Sequence, residues 1–296
     1  MNAHVPRGTK ILAAVYVLTA AGIALFWVHW FASGAYATEG DECFRVFENT
    51  FPLPDCILGL GLLVSAVGLL RRRVWGVMGG LMTAGMLWYL ASLDTLYNLQ
   101  HEGFTDFGNP ETYVKLFISA YCYGLGAVAL VWLWSSERGL LASGGKTNPM
   151  PAARAVLVVL LAATALGIVS FWTWWYAAGR AAYAHAACTR VYHDAFPLAE
   201  LVVLATSALG LLGAVRGRRW GLLWGFVTAG GFGFSVLIYA AFVVVYPEWS
   251  LVPGCTAAIM IAVGALMVAG LKTTAWVLRG WFLTPPSALA QDASAA

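Results

Sequence analysis

Eight runs of apolar residues, near 11–33, 53–70, 74–93, 113–134, 155–177, 196–214, 220–245 and 251–271, dominate this chain. Each is long enough to cross a hydrocarbon layer of about 30 Å, which takes about 20 helical residues. In lipid such runs are helices, because unpaired backbone groups are not tolerated there and barrel strands would be about 10 residues of alternating polarity. With 60% hydrophobic and 10% charged residues and a mean hydropathy of +0.75, the chain has too little polar surface for a water-soluble globule. The expected fold is all-α and membrane-integral, with eight transmembrane helices. Arg7 and Lys10 before the first run and Ala35-Tyr36-Ala37 after it outline a cleaved signal peptide. The run is too long for one, and a matching run at 155–177 is internal.

Shifted by 145 residues, the chain lies on itself without a gap. Phe26-Trp27 falls on Phe171-Trp172, Cys43-x-Arg45-Val46 on Cys188-x-Arg190-Val191, Phe51-Pro52-Leu53 on Phe196-Pro197-Leu198, and Thr83-Ala84-Gly85 on Thr228-Ala229-Gly230. The register implies a tandem duplication, with repeats at 1–145 and 146–285 and a disordered tail at 286–296 lacking apolar periodicity. A glycine-, proline- and polar-rich linker spans 135–153. Four spans per repeat make the repeats parallel, related by an axis along the membrane normal. With the N-terminus inside, all of the 17 basic residues except Arg45, Lys115, Arg180 and Arg190 fall on the inner side, so both termini are expected in the cytoplasm of a bacterial inner membrane. The net charge of +3 is then a topology signal and supports no nucleic-acid partner; the clusters at 71–73 and 216–219 fit contact with membrane lipid.

Trp27, Trp30, Trp172, Trp174, Trp175 and Trp249 at one level, and Trp75, Trp132, Trp134, Trp220, Trp276 and Trp281 at the other, read as aromatic belts. The stretch 273–283 reads as a short segment at the inner interface. Glycines on the third and seventh runs, among them Gly85 and Gly230, permit close helix contact. All five cysteines fall on the outer side, where disulfides persist. Cys43 and Cys188, 145 residues apart, are a disulfide candidate; no Cys-x-x-Cys motif and no zinc tetrad suggest thiol exchange or metal.

Of 14 acidic residues, only Glu137 and Asp292 fall on the inner side. Asp55 and Glu200 are counterparts in the first turns of the second and sixth spans, after Pro52 and Pro197. Proline belongs at a helix start and a carboxylate there meets the dipole favourably; the same pair can also flank a cavity as acid and base. Asp94, Tyr97, Asn98 and His101, spaced i, i+3, i+4, i+7, form a polar stripe on one helix face. Their counterparts are Tyr239, Phe242, Val243 and Tyr246, so the stripe belongs to the first half alone. His29 lies near the outer end of the first span, and an ionisable residue in a span is a site hypothesis by default. A haem between His29 and His193 lacks a local motif, and a divalent cation on Glu48, Asp55, Asp94 and His101 lacks a defining spacing. No local motif names a cofactor, whose identity stays unknown at this level.

Phe51-Pro52-Leu53-Pro54-Asp55, Arg71-Arg72-Arg73-x-Trp75-Gly76 and Leu96-Tyr97-Asn98-Leu99-Gln100-His101 carry a resemblance. Over residues 10–134 the chain resembles small bacterial four-span membrane proteins of the YvaD-like kind; the second half matches more weakly. The resemblance implies a four-helix unit and no activity.

These residues lead to an expected outer-facing cleft, lined by Asp55, Asp94, Tyr97, Asn98, His101, Glu200 and His29, that takes a small amphipathic or lipid-like ligand. Three rivals remain. One is an acid–base enzyme on an isoprenoid, sterol or quinone-like substrate with Asp55, Asp94 or Glu200 as catalytic groups. The second is a transporter, disfavoured because the inner halves of the spans are apolar, and the third is a subunit of a homo-oligomer or membrane complex.

Overall fold

The computed structural model describes residues 5–38, 40–142, 151–183, 186–247 and 254–283. Gly145, Lys146, Trp249, the tail 286–296 and the side chain of Cys255 lie outside the described residues. The helices are α1 (Arg7–Ala32), α2 (Ala35–Thr38), α3 (Glu42–Glu48), α4 (Pro52–Leu70), α5 (Val74–Gln100), α6 (Pro110–Ser136) and α7 (Arg138–Ala142). They continue as α8 (Pro151–Trp174), a π-helical turn (Trp175–Gly179), α9 (Arg180–Ala182), α10 (Ala187–Asp194), α11 (Pro197–Val215), α12 (Trp220–Val245) and α13 (Gly254–Leu283). Among the described residues there is no strand. Among the described residues, eight helical segments are long and apolar enough to cross a membrane: Arg7–Ala32, Glu42–Leu70, Val74–Gln100, Pro110–Ser136, Pro151–Ala182, Ala187–Val215, Trp220–Val245 and Thr256–Trp281.

Local chemistry sets the helix ends. Pro52, Pro110 and Pro197 occupy first-turn positions, where their missing N–H has no intrahelical partner to lose. Asp41 and Asn109 accept from the Phe44 and Glu111 amides to cap α3 and α6. α4 and α11 have identical lengths and start 145 residues apart. The turns that follow them need a left-handed residue, met by Arg72 at φ 54° and Gly217 at φ 62°. Residues 273–283, expected as a short aromatic segment at the inner interface, are the last turns of α13, where the Arg279 guanidinium lies 3.5 Å over Trp276.

α5 and α12 form the centre, with 72% and 56% of their apolar windows enclosed, against 17% for the last span. Their crossing depends on two glycines. A Cβ on Gly85 would strike the backbone of Val227, and one on Gly230 the backbone of Met82, so neither position has room for a side chain. α4 and α11 pack beside this pair, with α1, α6, α8 and α13 outermost.

At the arginine-rich end, Glu137 is buried to 1% exposure and accepts from Thr9 while pairing with Arg72. Arg154 donates to the Ala214 and Val215 carbonyls, placing a cation at the C-terminus of α11. At the opposite end α3 and α10 lie together, and a disulfide joins Cys43 to Cys188 with a Cα–Cα distance of 4.6 Å. Closing a loop over a sequence separation of 145 limits the unfolded chain and stabilises the fold by about 5 kcal/mol on the chain-entropy account.

Gly85→Val or Gly230→Val should destabilise the protein by about 3 kcal/mol or more, read as loss of the monodisperse peak in mild detergent. Gly22→Val, where a Cβ would meet nothing within 4 Å, should leave that peak intact. A protease site placed between residues 142 and 151, once cut, should yield fragments that migrate together on a non-reducing gel and separately after reduction; separate migration without reductant would contradict the Cys43–Cys188 bond.

Candidate functional site

The first turn of α4 presents Asp55, and α1 delivers Trp27 to it. Asp55 is 8% exposed, and its Oδ2 accepts from Trp27 Nε1 at 3.0 Å. Its Oδ1 has no hydrogen-bond partner among the described residues. The counterpart carboxylate is held differently. Glu200 Oε1 accepts from Tyr89 Oη at 2.9 Å and from Ser235 Oγ at 2.7 Å. Tyr89 reaches across from α5, so this bond ties the two halves at the level of the site.

Two exchanges of residues explain the difference. At the shift of 145, Tyr89 corresponds to Phe234 and Ser235 to Leu90, so Asp55 has no hydroxyls where Glu200 has two. The converse holds for the indoles. Glu200 is occupied by hydroxyls, and Trp172, the counterpart of Trp27, keeps a buried Nε1–H with no partner among the described residues.

Trp172 lines a cavity of about 370 Å³ between α8, α11, α12 and α13. Its walls are largely apolar, with Ile168, Phe171, Phe196, Phe232, Val236 and Met267 among them. The polar exceptions include Trp172, His193, Glu200 and Ser235. His193 is buried and its Nδ1 lies 2.8 Å from the Thr189 carbonyl. A carbonyl only accepts, so Nδ1 carries the proton and Nε2 is an acceptor when the ring is neutral. The imidazole lies against the Trp175 ring at 5.0 Å. A single-sided group of donor and acceptors at the wall of an apolar cavity orients an amphipathic molecule.

The polar stripe of α5 divides. Tyr97 is buried, stacked on Phe47 at 4.0 Å and on His101 at 4.2 Å. Asn98 Nδ2 donates to the Asp94 carbonyl, and His101 Nδ1 lies 2.8 Å from the Tyr97 carbonyl, at the exposed helix end. Tyr97, Asn98 and His101 thus finish α5 and pack it on α3. Asp94 is half-buried and interacts through charge with Glu48 and Asp55. His29 is exposed on α1 and does not border the cavity that His193 enters. Of the expected lining, the cavity takes Glu200 alone, while Asp55 and Asp94 form a separate acidic group in the first half.

Trp27, Trp30 and Trp175, expected in an outer aromatic belt, are buried and donate to Asp55, Asn49 and Asp194. The signal that finds Trp172 and Ser235 is the mismatch between halves, Tyr89 against Phe234 and Leu90 against Ser235. Among the described residues no three His, Cys, Asp or Glu side chains are placed to hold a metal ion. No protein-family model, curated protein or solved structure matches the chain.

Trp27→Phe removes the one bond that Asp55 receives and should lower stability by about 2 kcal/mol, the order expected when a buried acceptor loses its donor. Trp172→Phe removes an N–H without a partner in the chain, and in protein stripped of bound small molecules its melting temperature in detergent should match that of the parent. Equal losses in the two variants would contradict the assignment of the free indole.

Proposed function

We propose that this is a multi-pass protein of the bacterial inner membrane whose second half binds a small amphipathic or lipid-like molecule in the cavity beside Glu200. In this reading the chain is two parallel four-helix repeats with both termini cytoplasmic. The gathering of Arg72, Arg154, Arg216 and Arg219 at the end opposite the disulfide supports that orientation, because a disulfide belongs on the oxidising face. The observation that carries the ligand reading is Trp172: a buried donor without an acceptor is costly, and the residue that holds this one lines an apolar cavity.

The chemistry of the wall describes the ligand. Its head carries an acceptor for Trp172 Nε1–H and a hydrogen to share with Glu200 or His193 Nε2, as a hydroxyl or a protonated carboxyl does. Its body is hydrocarbon, set against Phe171, Phe196 and Phe232. The volume of about 370 Å³ lies at the small end of ligand sites, about 300–1,000 Å³. One observation favours a second reading, an acid–base enzyme on an isoprenoid, sterol or quinone-like substrate: Glu200 is 9% exposed and faces an apolar cavity with His193 at the same wall.

Mass spectrometry of the organic extract of protein purified in mild detergent should find an amphiphile retained in near-stoichiometric amount. Gly167 borders the cavity, and a Cβ there would meet nothing within 4 Å, so Gly167→Leu should fill the space without disturbing the fold. Retention should fall at least tenfold in Gly167→Leu and in Glu200→Ala. Unchanged retention in both variants, or none in the parent, would overturn the binding reading. Conversion of the retained molecule, lost in Glu200→Gln, would select the enzyme.

A further inference from the structure

The arginine-rich end of the molecule carries more cations than its own structure uses. Glu137 is the one carboxylate there among the described residues, and Thr9 and Arg72 occupy its two oxygens. Arg154 donates to the last carbonyls of α11 and lies over the Trp281 ring at 5.3 Å. Arg138 and Arg219, by contrast, have no ion pair and no side-chain hydrogen bond among the described residues.

Both arginines line one cavity of about 320 Å³, formed where the end of α6 and the short α7 meet the start of α12 and the end of α13. Ser135, Ser136, Gly139 and Leu283 complete most of its wall. Leu141 is fully buried and α7 packs on α13, which fixes Arg138 at the rim; Arg138 is exposed and Arg219 half-buried. The two hydroxyls differ. Ser135 Oγ donates to the Val131 carbonyl at 2.7 Å, whereas Ser136 Oγ has only Ser135 Oγ at 3.5 Å, beyond the usual O–H···O range, so its hydrogen is available to an occupant. Arg219 is also the N-cap of α12, which no side chain caps, and the positive end of that helix dipole adds to the charge at this wall.

The shift of 145 residues separates these cations from the rest. Arg71 and Arg73 match Arg216 and Arg218, and cations kept at both turns are accounted for by the charge bias of the inner side. The groups of the cavity fall outside that pattern. Arg219 stands where the first half has Val74, and Arg138, Ser136 and Ser135 stand where the second half has Leu283, Trp281 and Gly280. Four polar groups that occur once each, three from one half and one from the other, therefore meet at a single cavity.

We propose that this cavity binds a phosphate monoester, its anionic oxygens paired with Arg138 and Arg219 and one of them accepting from Ser136 Oγ. A monoester carries a charge of about −1.5 to −2 at pH 7, which two otherwise unpaired arginines offset. The planar fork of each guanidinium matches two phosphate oxygens at once. The volume is about ten times the ~30 Å³ that a water takes in the liquid, so it exceeds what a chloride fills and leaves room for the esterified carbons beside Leu283 and Ala142. A soluble ester and the head group of an anionic lipid share this chemistry. The site lies at the end opposite the disulfide and does not depend on what the Glu200 cavity holds.

The test uses the full chain in mild detergent, titrated calorimetrically with glycerol 3-phosphate against glycerol, and with phosphatidate in mixed micelles against the zwitterionic diester phosphatidylcholine. A monoester should bind saturably and its control should not. Arg138→Gln and Arg219→Gln should each weaken it at least tenfold, while Arg218→Gln, one residue away and not part of the cavity wall, leaves its affinity within twofold. Neither cavity arginine has a partner to lose, so the melting temperatures of both variants without ligand should match that of the parent. Gly139 lines the cavity, and a Cβ there would meet nothing within 4 Å, so Gly139→Leu should weaken binding at least tenfold with both arginines kept. Binding of glycerol 3-phosphate supports the site with a soluble occupant, and binding of phosphatidate alone supports it with a lipid head group. No saturable binding of either monoester, equal binding of the controls, a matching loss in Arg218→Gln, or affinity unchanged in both arginine variants or in Gly139→Leu would each overturn the proposal.

Discussion

The crossing of α5 and α12 is the contact on which the rest of the molecule depends. Gly85 and Gly230 allow the two backbones to touch, each glycine against the main chain of the other helix. With little solvent-driven burial between helices in lipid, van der Waals contact over such small residues is a main source of association. The crossing also fixes lateral distances. Only a short separation lets Tyr89 of α5 reach Glu200 on α11 and brings α3 within bonding distance of α10. A side chain at either glycine would push apart the bond at the site and the bond at the end together.

Within that frame, equivalent backbone carries unequal chemistry. Asp55 and Glu200 both stand in the first turn of a helix opened by proline. Their neighbours differ by two residues, Phe234 for Tyr89 and Leu90 for Ser235. A carboxylate supplied with hydroxyls frees its indole, and one without them claims the indole and leaves an oxygen unsatisfied. The same few substitutions therefore create a donor without an acceptor in one half and an acceptor without a donor in the other.

The spans were legible in the sequence because length and hydropathy act locally, residue upon residue, and lipid leaves helices as the outcome. Helix ends were legible where a proline marks them, as at Pro52 and Pro197. The end of the last helix was not legible, because an apolar helix continues with no stop signal at Lys272. The site was legible only in part. Tyr97 and His101 stood out as polar on an apolar helix, yet their rings serve α3 through Phe47, a contact that depends on a short helix with no strong sequence signature. The cavity itself leaves no mark in one dimension, since most of its walls are ordinary apolar residues. Pairing Tyr89 with Glu200 required knowing that α5 and α11 are neighbours.

The cavity beside Glu200 has a flank that matters beyond its volume. Gly167 and Ala163 on α8 and Met260 on α13 border it and are themselves exposed on the outside of the bundle, and the last span is the least enclosed of the eight. That flank lies between two outer helices, where the surroundings of a membrane-embedded chain are acyl chains and not water. For an occupant drawn from that phase the governing variable is its mole fraction in the bilayer. Residence is then set by competition with neighbouring lipid, and diluting the surrounding buffer leaves the occupancy unchanged.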